Sequence, residues 1–152
     1  MRRYISKSEK ETKDLAGSLL GKHRDTLRKR ALLFALEGEL GAGKTVFAKG
    51  VGEHLGIKKP IRSPGFVLVA EYPIDKQRTL YHVDLWRIED EGEARALGIE
   101  EMIRQGNIVL IEWAQKIPNF LDELRKRSGL EVVSIEFAHR GEKEREIKIS
   151  NH

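Results

Sequence analysis

The sequence predicts an α/β fold, with a mixed β-sheet and helices on both faces. Three observations support this prediction. Residues 31–36 form an apolar run typical of a buried parallel strand, a glycine-rich loop follows at residues 38–45, and residues 46–55 have the pattern of a helix that ends at Gly56. Strands and helices then alternate along the chain. With 152 residues, no internal repeat and no Pro/Gly-rich linker, the chain is expected to form a single domain over residues 1–152.

The glycine-rich loop has the complete spacing of a phosphate-binding P-loop. It reads Gly-Glu-Leu-Gly-Ala-Gly-Lys-Thr, a match to G-x-x-x-x-G-K-T, and it lies between a strand and a helix as that motif requires. The backbone N–H groups of such a loop bind phosphate oxygens, helped by the N-terminus of the following helix. We expect Lys44, as a solvent-facing charge, to reach the outer phosphates and the Thr45 hydroxyl to ligate Mg²⁺. Since both flanks fit, a chance glycine turn is disfavoured, and the sequence predicts a P-loop NTPase-like domain that binds a nucleoside triphosphate.

Two elements are predicted before the P-loop strand. Ser8 and Glu11 have the spacing of a capping box that opens a helix through Leu15, Leu19 and Leu20. A basic connector follows at residues 22–30. This connector could contact nucleic acid, although a solvated helix end is the favoured interpretation.

After the P-loop helix, the sequence predicts a β-hairpin, two short helices, a buried strand, a further helix and two more strands. The hairpin strands are predicted at residues 66–72 and 79–87, with a turn at 75–78. The later elements are predicted as helices at 91–97 and 99–104, a strand at 107–111, a helix at 120–127, and strands at 132–137 and 144–149.

Composition excludes several classes of protein. The chain has no cysteine, which excludes disulfides and thiolate metal sites. It has no apolar stretch near the length of a membrane span and no apolar signal region at its N-terminus, so we expect a cytoplasmic protein without a membrane partner. The formal charge of +4 is modest, and a solvated surface of mixed charge is favoured over a phosphate-bearing partner.

Two carboxylates are candidates to complete the phosphate site. Glu112 follows four apolar residues at the end of a predicted central strand, which is the Walker B pattern, and we expect it beside the phosphates. Asp84 lies in a predicted strand, where a carboxylate is costly unless it is paired or near a metal. Strand alternation puts His82, Asp84 and Trp86 on one face, and His82 is interpreted as structural. Trp113 either packs near the nucleotide or fills the core, and the core is the commoner outcome.

Taken together, these motifs resemble the TsaE (YjeE) family of small bacterial P-loop ATPases. The resemblance covers nearly the whole chain in order. It rests on the P-loop, on Ser-Pro-Gly-Phe at residues 63–66, on His-Val-Asp-Leu-Trp-Arg at residues 82–87, on Leu-Gly at residues 97–98, and on Ile-Glu-Trp at residues 111–113. Where the family usually has Thr, Tyr and Pro, this chain has Gly65, Trp86 and Ala114.

The resemblance implies an ATPase that supports threonylcarbamoyladenosine modification of tRNA, with ATP and Mg²⁺ as cofactors and with TsaD and TsaB as protein partners. Contact with tRNA would be indirect, through that complex. By position, the family's catalytic residues correspond to Lys44, Asp84 and Glu112, and its metal-site residues to Thr45, Asp84 and Glu112. The nucleotide-binding positions correspond to Glu9, Thr12, Gly41, Ala42, Gly43, Lys44, Thr45, Val46, Trp113 and Gly141.

Two other functions remain open at the level of sequence. A small-molecule kinase shares the P-loop but needs a lid with arginines over its acceptor, and no clear lid segment is present. A nucleotide-sensing adaptor without turnover is the second alternative, because Gly65 removes a hydroxyl from the predicted switch segment. If that hydroxyl contacts the terminal phosphate in relatives, a Gly65→Thr substitution should raise turnover. If Ser63 supplies the contact instead, Gly65 should be neutral.

Overall fold

A seven-stranded mixed sheet runs through the protein, whose computed structural model describes residues 1–151. The strands are Arg2–Ser6 (β1), Ala31–Gly38 (β2), Val69–Pro73 (β3), Thr79–Asp84 (β4), Ile108–Glu112 (β5), Leu130–Arg140 (β6) and Glu144–Asn151 (β7). Their order is β1-β7-β6-β2-β5-β4-β3. The four central strands β6, β2, β5 and β4 are parallel, and the outer strands β1, β7 and β3 are antiparallel to their neighbours. The mixed sheet predicted from the sequence is therefore confirmed.

Helices cover both faces of the sheet, as predicted. They are Glu9–Lys22 (α1), Arg24–Leu27 (α2), Lys44–His54 (α3), Glu91–Arg95 (α4), Ile99–Met102 (α5) and Pro118–Arg125 (α6). Within the described part of the chain, none of these helices combines the length and the apolar character needed to span a bilayer.

Alternation along β2 divides the core into two layers. Leu32, Phe34 and Leu36 face α1 and α3, whereas Leu33 and Ala35 face the layer of α4, α5 and α6. All five side chains are fully buried. Because β2 is covered on both faces, its sequence is a continuous apolar run rather than an alternating one. This explains why a run of six apolar residues correctly indicated a central parallel strand.

Parallel pairing brings the carboxyl ends of three strands together. In the register, Leu36 of β2 lies opposite Glu112 of β5, and Glu112 lies opposite Asp84 of β4. The loop that follows β2 leaves the sheet at this same edge and leads into α3. Ligands of open α/β sheets bind at the carboxyl ends of the strands, so the fold places the P-loop and both candidate carboxylates at one edge.

Several boundaries differ from the sequence prediction. Strand β1 was not predicted; it pairs with β7, which adds an antiparallel strand at the edge of the sheet. The predicted strand at 66–72 begins only at Val69, because Gly65–Val67 form a 3₁₀ turn and Leu68 has a φ of 66°. The predicted strand at 79–87 ends at Asp84, so Trp86 lies beyond the strand and the expected alternation does not extend to it.

The other elements were predicted with small errors in length. Helices α4 and α5 end before residues 97 and 104, and α6 spans Pro118–Arg125 rather than 120–127. Strands β6 and β7 extend beyond residues 132–137 and 144–149. The basic connector contains the short helix α2. Weak local signals at the ends of elements account for these differences, because tertiary packing fixes where an element stops.

The N-terminus of α1 is capped largely as the sequence indicated. The Ser8 hydroxyl accepts a hydrogen bond from the Glu11 N–H at 3.1 Å. The reciprocal bond differs from the expected capping box, because the Glu11 carboxylate accepts from the Lys7 N–H at 2.7 Å rather than from the N–H of Ser8. This cap fixes the start of α1 close to the P-loop edge.

Helices α1 and α3 pack closely because α3 carries glycine at the contact. A Cβ atom built on Gly50 would lie only 2.7 Å from the backbone Cα of Lys13. By contrast, a Cβ atom on Gly21, in the last turn of α1, meets nothing within 4 Å. The two helical glycines therefore differ in whether a side chain fits.

We expect Gly50→Ala to lower the free energy of unfolding by about 1–3 kcal/mol, the usual cost of forcing an extra carbon into a packed core. The matched control Gly21→Ala should instead raise it, by up to about 1 kcal/mol, because alanine has the higher helix propensity. Urea denaturation of both variants measures the difference. Equal effects of the two substitutions would contradict the close packing of α1 against α3.

Candidate nucleotide-binding site

A cleft of about 480 Å³ lies at the carboxyl ends of β2, β5 and β4. Most of the predicted site residues line it, namely Glu9, Thr12, Gly41, Gly43, Lys44, Thr45, Val46, Asp84, Glu112 and Trp113. Two predicted residues do not line the cleft. Ala42, a residue of the loop itself, is buried, and Gly141 lies in the β6–β7 turn, whose residue Lys143 lines the cleft instead.

The P-loop backbone has the left-handed conformations that its glycines allow. Gly38, Gly41 and Gly43 have φ values of 148°, 75° and 112°. Gly38 is also limited by space, because a Cβ atom there would lie 2.5 Å from the backbone oxygen of Phe137. Side chains other than glycine rarely adopt such φ values. The loop can therefore curl toward the cleft at these three positions.

The expectation that Lys44 is solvent-facing is wrong. Its side chain is only 4% exposed, and the Nζ donates to the carbonyl oxygens of Gly38 at 2.5 Å and Glu39 at 2.8 Å. Lys44 therefore ties the beginning of the loop to the start of α3. The sequence could not reveal this, because the position of the ammonium depends on how the loop folds back over it.

The Lys44 ammonium lies against one aromatic ring, which in turn contacts a second. The Nζ lies 4.1 Å from the centre of the Trp113 ring, and this ring lies 4.5 Å from that of Trp86. Burial is the main effect on the pKa of Lys44 and lowers it, while the nearby carboxylates of Glu112 and Asp84 act in the opposite direction. The sequence did not decide whether Trp113 packs in the core or borders the nucleotide. Its side chain does both, because it lines the cleft and is only 8% exposed.

Glu112 links the P-loop to the central sheet. Its Oε1 accepts a hydrogen bond from the Thr45 hydroxyl at 3.0 Å, and its Oε2 lies 2.5 Å from Nε2 of His82. The carboxyl group is 3% exposed and His82 is fully buried. A carboxylate so enclosed needs partners for both oxygens. Thr45 and His82 provide them.

Both ring nitrogens of His82 have a hydrogen-bond partner. Its Nδ1 is 3.2 Å from the carbonyl oxygen of Arg62, which can only accept, so Nδ1 carries a proton. The other ring nitrogen, Nε2, faces the Glu112 carboxyl group. His82 therefore holds Glu112 and connects it to the backbone before Ser63.

Asp84 organises the segment that precedes β3. Its Oδ2 accepts from the Ser63 hydroxyl at 3.0 Å, and its Oδ1 accepts from the Trp86 N–H at 2.9 Å. Ser63 lines the cleft, whereas Gly65 is exposed and has a φ of 63°. The hydroxyl on this segment that faces the site is therefore that of Ser63.

The oxygen atoms at the cleft fit a hard cation that is held in part by phosphate. Across residues 1–151, no group of three or more His, Cys, Asp or Glu side chains could enclose a metal ion. The cleft offers instead the Thr45 hydroxyl with the carboxylates of Glu112 and Asp84. Mg²⁺ prefers this kind of site, with one or two protein carboxylates, water and the phosphates of a nucleotide.

The hairpin of β6 and β7 contributes cationic residues that sequence reasoning did not identify. Lys143 and Arg145 line the cleft, and Arg145 donates to the carbonyl oxygen of Gly41 at 3.2 Å. His139 contacts the carbonyl oxygen of Leu40 at 3.2 Å. The signal in the sequence was the match of Gly141 to a nucleotide-binding position of the family, next to residues 142–146, where acidic and basic residues alternate. The cationic residues could not be assigned to the site, because the hairpin joins the P-loop through the pairing of β6 with β2.

The His82–Glu112 contact can be measured by a double-mutant cycle. Removing either partner leaves a buried polar group unpaired, so His82→Ala and Glu112→Ala should each lower the free energy of unfolding. The double variant should lose less free energy of unfolding than the sum of the two single losses. We expect a coupling energy of about 1–3 kcal/mol from urea denaturation. His82→Ala combined with Glu136→Ala, an exposed residue of β6, is the control and should be additive. Additivity in both cycles would rule out the contact.

Comparison with known proteins identifies the family of the chain and agrees with the fold. Residues 6–147 match the sequence model of the family described as "Threonylcarbamoyl adenosine biosynthesis protein TsaE". Curated relatives named tRNA threonylcarbamoyladenosine biosynthesis protein TsaE include those of Bacillus subtilis, at 42% identity over 76% of this chain and 66% of the relative, and Haemophilus influenzae, at 37% over 62% and 59%. The relative from Treponema pallidum is 32% identical over 87% of this chain and 93% of its own.

A solved structure also matches. The crystal structure of YdiB from Bacillus subtilis superposes with a TM-score of 0.65 and 30% sequence identity, covering 99% of this chain and 84% of that one. In the sequence comparison, the chain matches 66% of the length of the Bacillus subtilis relative and 59% of the Haemophilus influenzae relative. The family match nevertheless covers most of the chain and includes every element of the cleft from Ser8 to Arg145. The chain belongs to the TsaE family.

Proposed function

We propose that this protein binds ATP with Mg²⁺ in the cleft and hydrolyses the ATP. It does so in the cytoplasm, as an accessory protein that acts with TsaD and TsaB in the threonylcarbamoyladenosine modification of tRNA. The observation that carries the proposal is the hydrogen bond from Thr45 to Glu112. It joins the last residue of the P-loop motif to a carboxylate at the end of the central strand, the arrangement that P-loop ATPases use.

The P-loop supplies the phosphate-binding groups. Its backbone N–H groups and the N-terminus of α3, which begins at Lys44, favour negative charge. The Lys44 ammonium is held by two carbonyl oxygens of the loop itself. These are neutral acceptors, and a charged phosphate oxygen makes the stronger hydrogen bond, so the ammonium can transfer to the terminal phosphates.

Two hydroxyls have their oxygen lone pairs free for a cation. Thr45 donates its proton to Glu112 and Ser63 donates its proton to Asp84, so each hydroxyl oxygen can still act as a ligand. When bound, Mg²⁺ would neutralise the negative charge that develops on the phosphate during hydrolysis. In this arrangement Glu112 and Asp84 orient the two hydroxyls, and His82 fixes Glu112.

Asp84 is the carboxylate with room to position the attacking water. Both carboxylates accept hydrogen bonds at each oxygen, but Asp84 is half-buried at the cleft, whereas Glu112 is enclosed. In hydrolysis, the water oxygen bonds to the terminal phosphorus and the bond from phosphorus to the bridging oxygen breaks. ADP and phosphate leave, with the protons of the water on the phosphate product or released to solvent. Asp84 accepts a hydrogen bond from that water and orients it. Glu9, Thr12, Trp113 and the turn at Gly141 border the rest of the nucleotide.

The rim of the cleft supports the proposal that other proteins bind there. Four large apolar side chains are exposed around it, Leu40 at 73%, Phe66 at 83%, Val67 at 74% and Trp86 at 47%. They belong to the P-loop, to the 3₁₀ turn after Ser63 and to the segment after β4. Exposed apolar groups that cluster at a functional edge are typical of a protein–protein contact. A partner such as TsaD with TsaB would cover the nucleotide and these side chains together.

Phosphate release from ATP, measured with and without TsaD and TsaB, tests this function against its alternatives. We expect slow release by the protein alone and stimulation by the two partners. A small-molecule kinase would consume ATP only with an acceptor, and an adaptor would bind ATP and release no phosphate under any condition. Either of those results would overturn the proposal.

Lys44→Ala should abolish measurable phosphate release and weaken ATP binding. Removing one preorganised donor to a developing charge typically costs about 100- to 1000-fold in rate. Lys49→Ala, which removes an exposed lysine of the same helix, is the control and should keep full activity. Unchanged phosphate release by the Lys44 variant would show that the P-loop does not hydrolyse ATP.

The switch segment offers a second test, because the structure favours Ser63 over Gly65 as its hydroxyl-bearing position. Ser63→Ala should lower turnover about tenfold, since one lost hydrogen bond to a charged group is worth roughly 1.5 kcal/mol or more. Ser63→Thr keeps the hydroxyl and should retain most of the rate. Gly65→Thr should not raise turnover, because its φ of 63° costs a β-branched residue about 1–2 kcal/mol. Faster hydrolysis by Gly65→Thr, with a neutral Ser63→Ala, would reverse this assignment.

A further inference from the structure

The edge of the sheet opposite the cleft is strongly basic. The segments at residues 22–30, 74–78, 104–107 and 126–129 precede the parallel strands β2, β4, β5 and β6, so they meet at the amino ends of these strands. Together they contain ten Lys or Arg residues and two Asp residues, a formal charge of +8. The whole chain carries +4, so the remainder is net negative. We refer to these four segments as the basic edge.

Only part of this charge is paired within the fold. Asp25 lies 3.5 Å from Arg28, and Asp75 lies 2.8 Å from Arg78. Arg30 lies 3.4 Å from Glu131. In contrast, Arg24, Lys29 and Arg104 are exposed, and their side chains form no ion pair with any residue between 1 and 151. Lys22, Lys76 and Lys126 are likewise exposed and without an ion pair among residues 1–151, whereas Arg127 lies 3.5 Å from Glu100. Six cations of the basic edge are therefore available to an external anion.

A groove of about 630 Å³ lies on the basic edge. Arginines 24 and 28 of the α2 region and Arg78 of the β3–β4 turn line it, together with the apolar side chains of Leu20, Leu27 and Leu55. Gly21 also lines the groove, and nothing lies within 4 Å of where its Cβ atom would be. The groove thus combines an apolar surface with cationic groups from separate elements.

We propose that the basic edge binds single-stranded or loop RNA. Single-stranded RNA presents a regular line of phosphates together with unstacked bases, and proteins bind it through a cationic groove that also offers base-contacting surface. Arg24, Lys29 and Arg104 contact phosphates, and a base lies against the leucines of the groove. An acidic protein segment would match the charge alone and would leave the apolar groove unexplained. This site lies at the opposite edge of the sheet from the nucleotide cleft, so RNA and nucleotide can bind together.

Fluorescence anisotropy with a fluorescein-labelled oligouridine tests the proposal at several salt concentrations. The affinity should fall steeply with salt, because binding to phosphates releases counterions. The triple variant Arg24→Ala, Lys29→Ala, Arg104→Ala should bind the probe at least tenfold more weakly at low salt. The slope of log affinity against log salt should decrease by about 2, since each contact with a single strand contributes roughly 0.7.

A control variant with the same loss of charge separates a local site from general attraction. Arg2→Ala, Lys7→Ala, Lys49→Ala removes three exposed cations outside the basic edge and should leave both affinity and slope unchanged. Equal losses in the two triple variants would overturn the proposal. So would displacement of the probe by poly-L-glutamate at equal charge concentration, which would assign the edge to acidic proteins.

Nucleotide binding provides the remaining readout. Both triple variants should bind ATP as the unmodified protein does, and Lys44→Ala should still bind the oligouridine. RNA binding and ATP hydrolysis can therefore fail independently. A probe that does not bind at low salt would overturn the RNA site and leave the proposed ATPase intact.

Discussion

The fold depends on one enclosed carboxyl group, that of Glu112. It ends the central strand β5, and its two oxygens are bonded to the P-loop threonine on one side and to His82 of β4 on the other. A buried carboxylate without such partners would be strongly unfavourable. The positions of Thr45 and His82, and through them the relation of α3 to the sheet, are therefore fixed by the requirement to satisfy this single group. His82 extends the linkage to the backbone before Ser63.

The close contact between α1 and α3 adds a second constraint on the same edge. Gly50 leaves no room for a side chain against Lys13, so the two helices are held as one unit. Ser8 and Glu9 at the start of α1 consequently keep a defined position relative to Lys44 at the start of α3. The hairpin of β6 and β7 completes the enclosure through contacts with the carbonyl groups of Leu40 and Gly41. The cleft is thus built from segments that lie far apart in the sequence.

Local patterns predicted the sheet, the P-loop and most cleft residues, because a P-loop is a contiguous motif and Glu112 directly follows an apolar run. They did not predict what depends on distant pairing. β1 is recognisable only through its partner β7, and the burial of Lys44 follows from carbonyl groups that the loop turns inward. Arg145 reaches the site only because β6 pairs with β2. Trp86 left its predicted strand because Asp84 uses a side-chain oxygen to bond the Trp86 N–H, which turns the chain out of the sheet.

The pair of aromatic rings beside Lys44 has an optical consequence. The chain contains two tryptophans, and both border the cleft, with their rings 4.5 Å apart. One of them is in contact with the Lys44 ammonium and the other is about half exposed. The tryptophan emission of the protein therefore originates at this one location, whereas the three tyrosines lie outside the cleft lining. Events at the cleft are therefore accessible to spectroscopy without an attached dye, provided that the excitation wavelength is one that tryptophan absorbs and tyrosine does not.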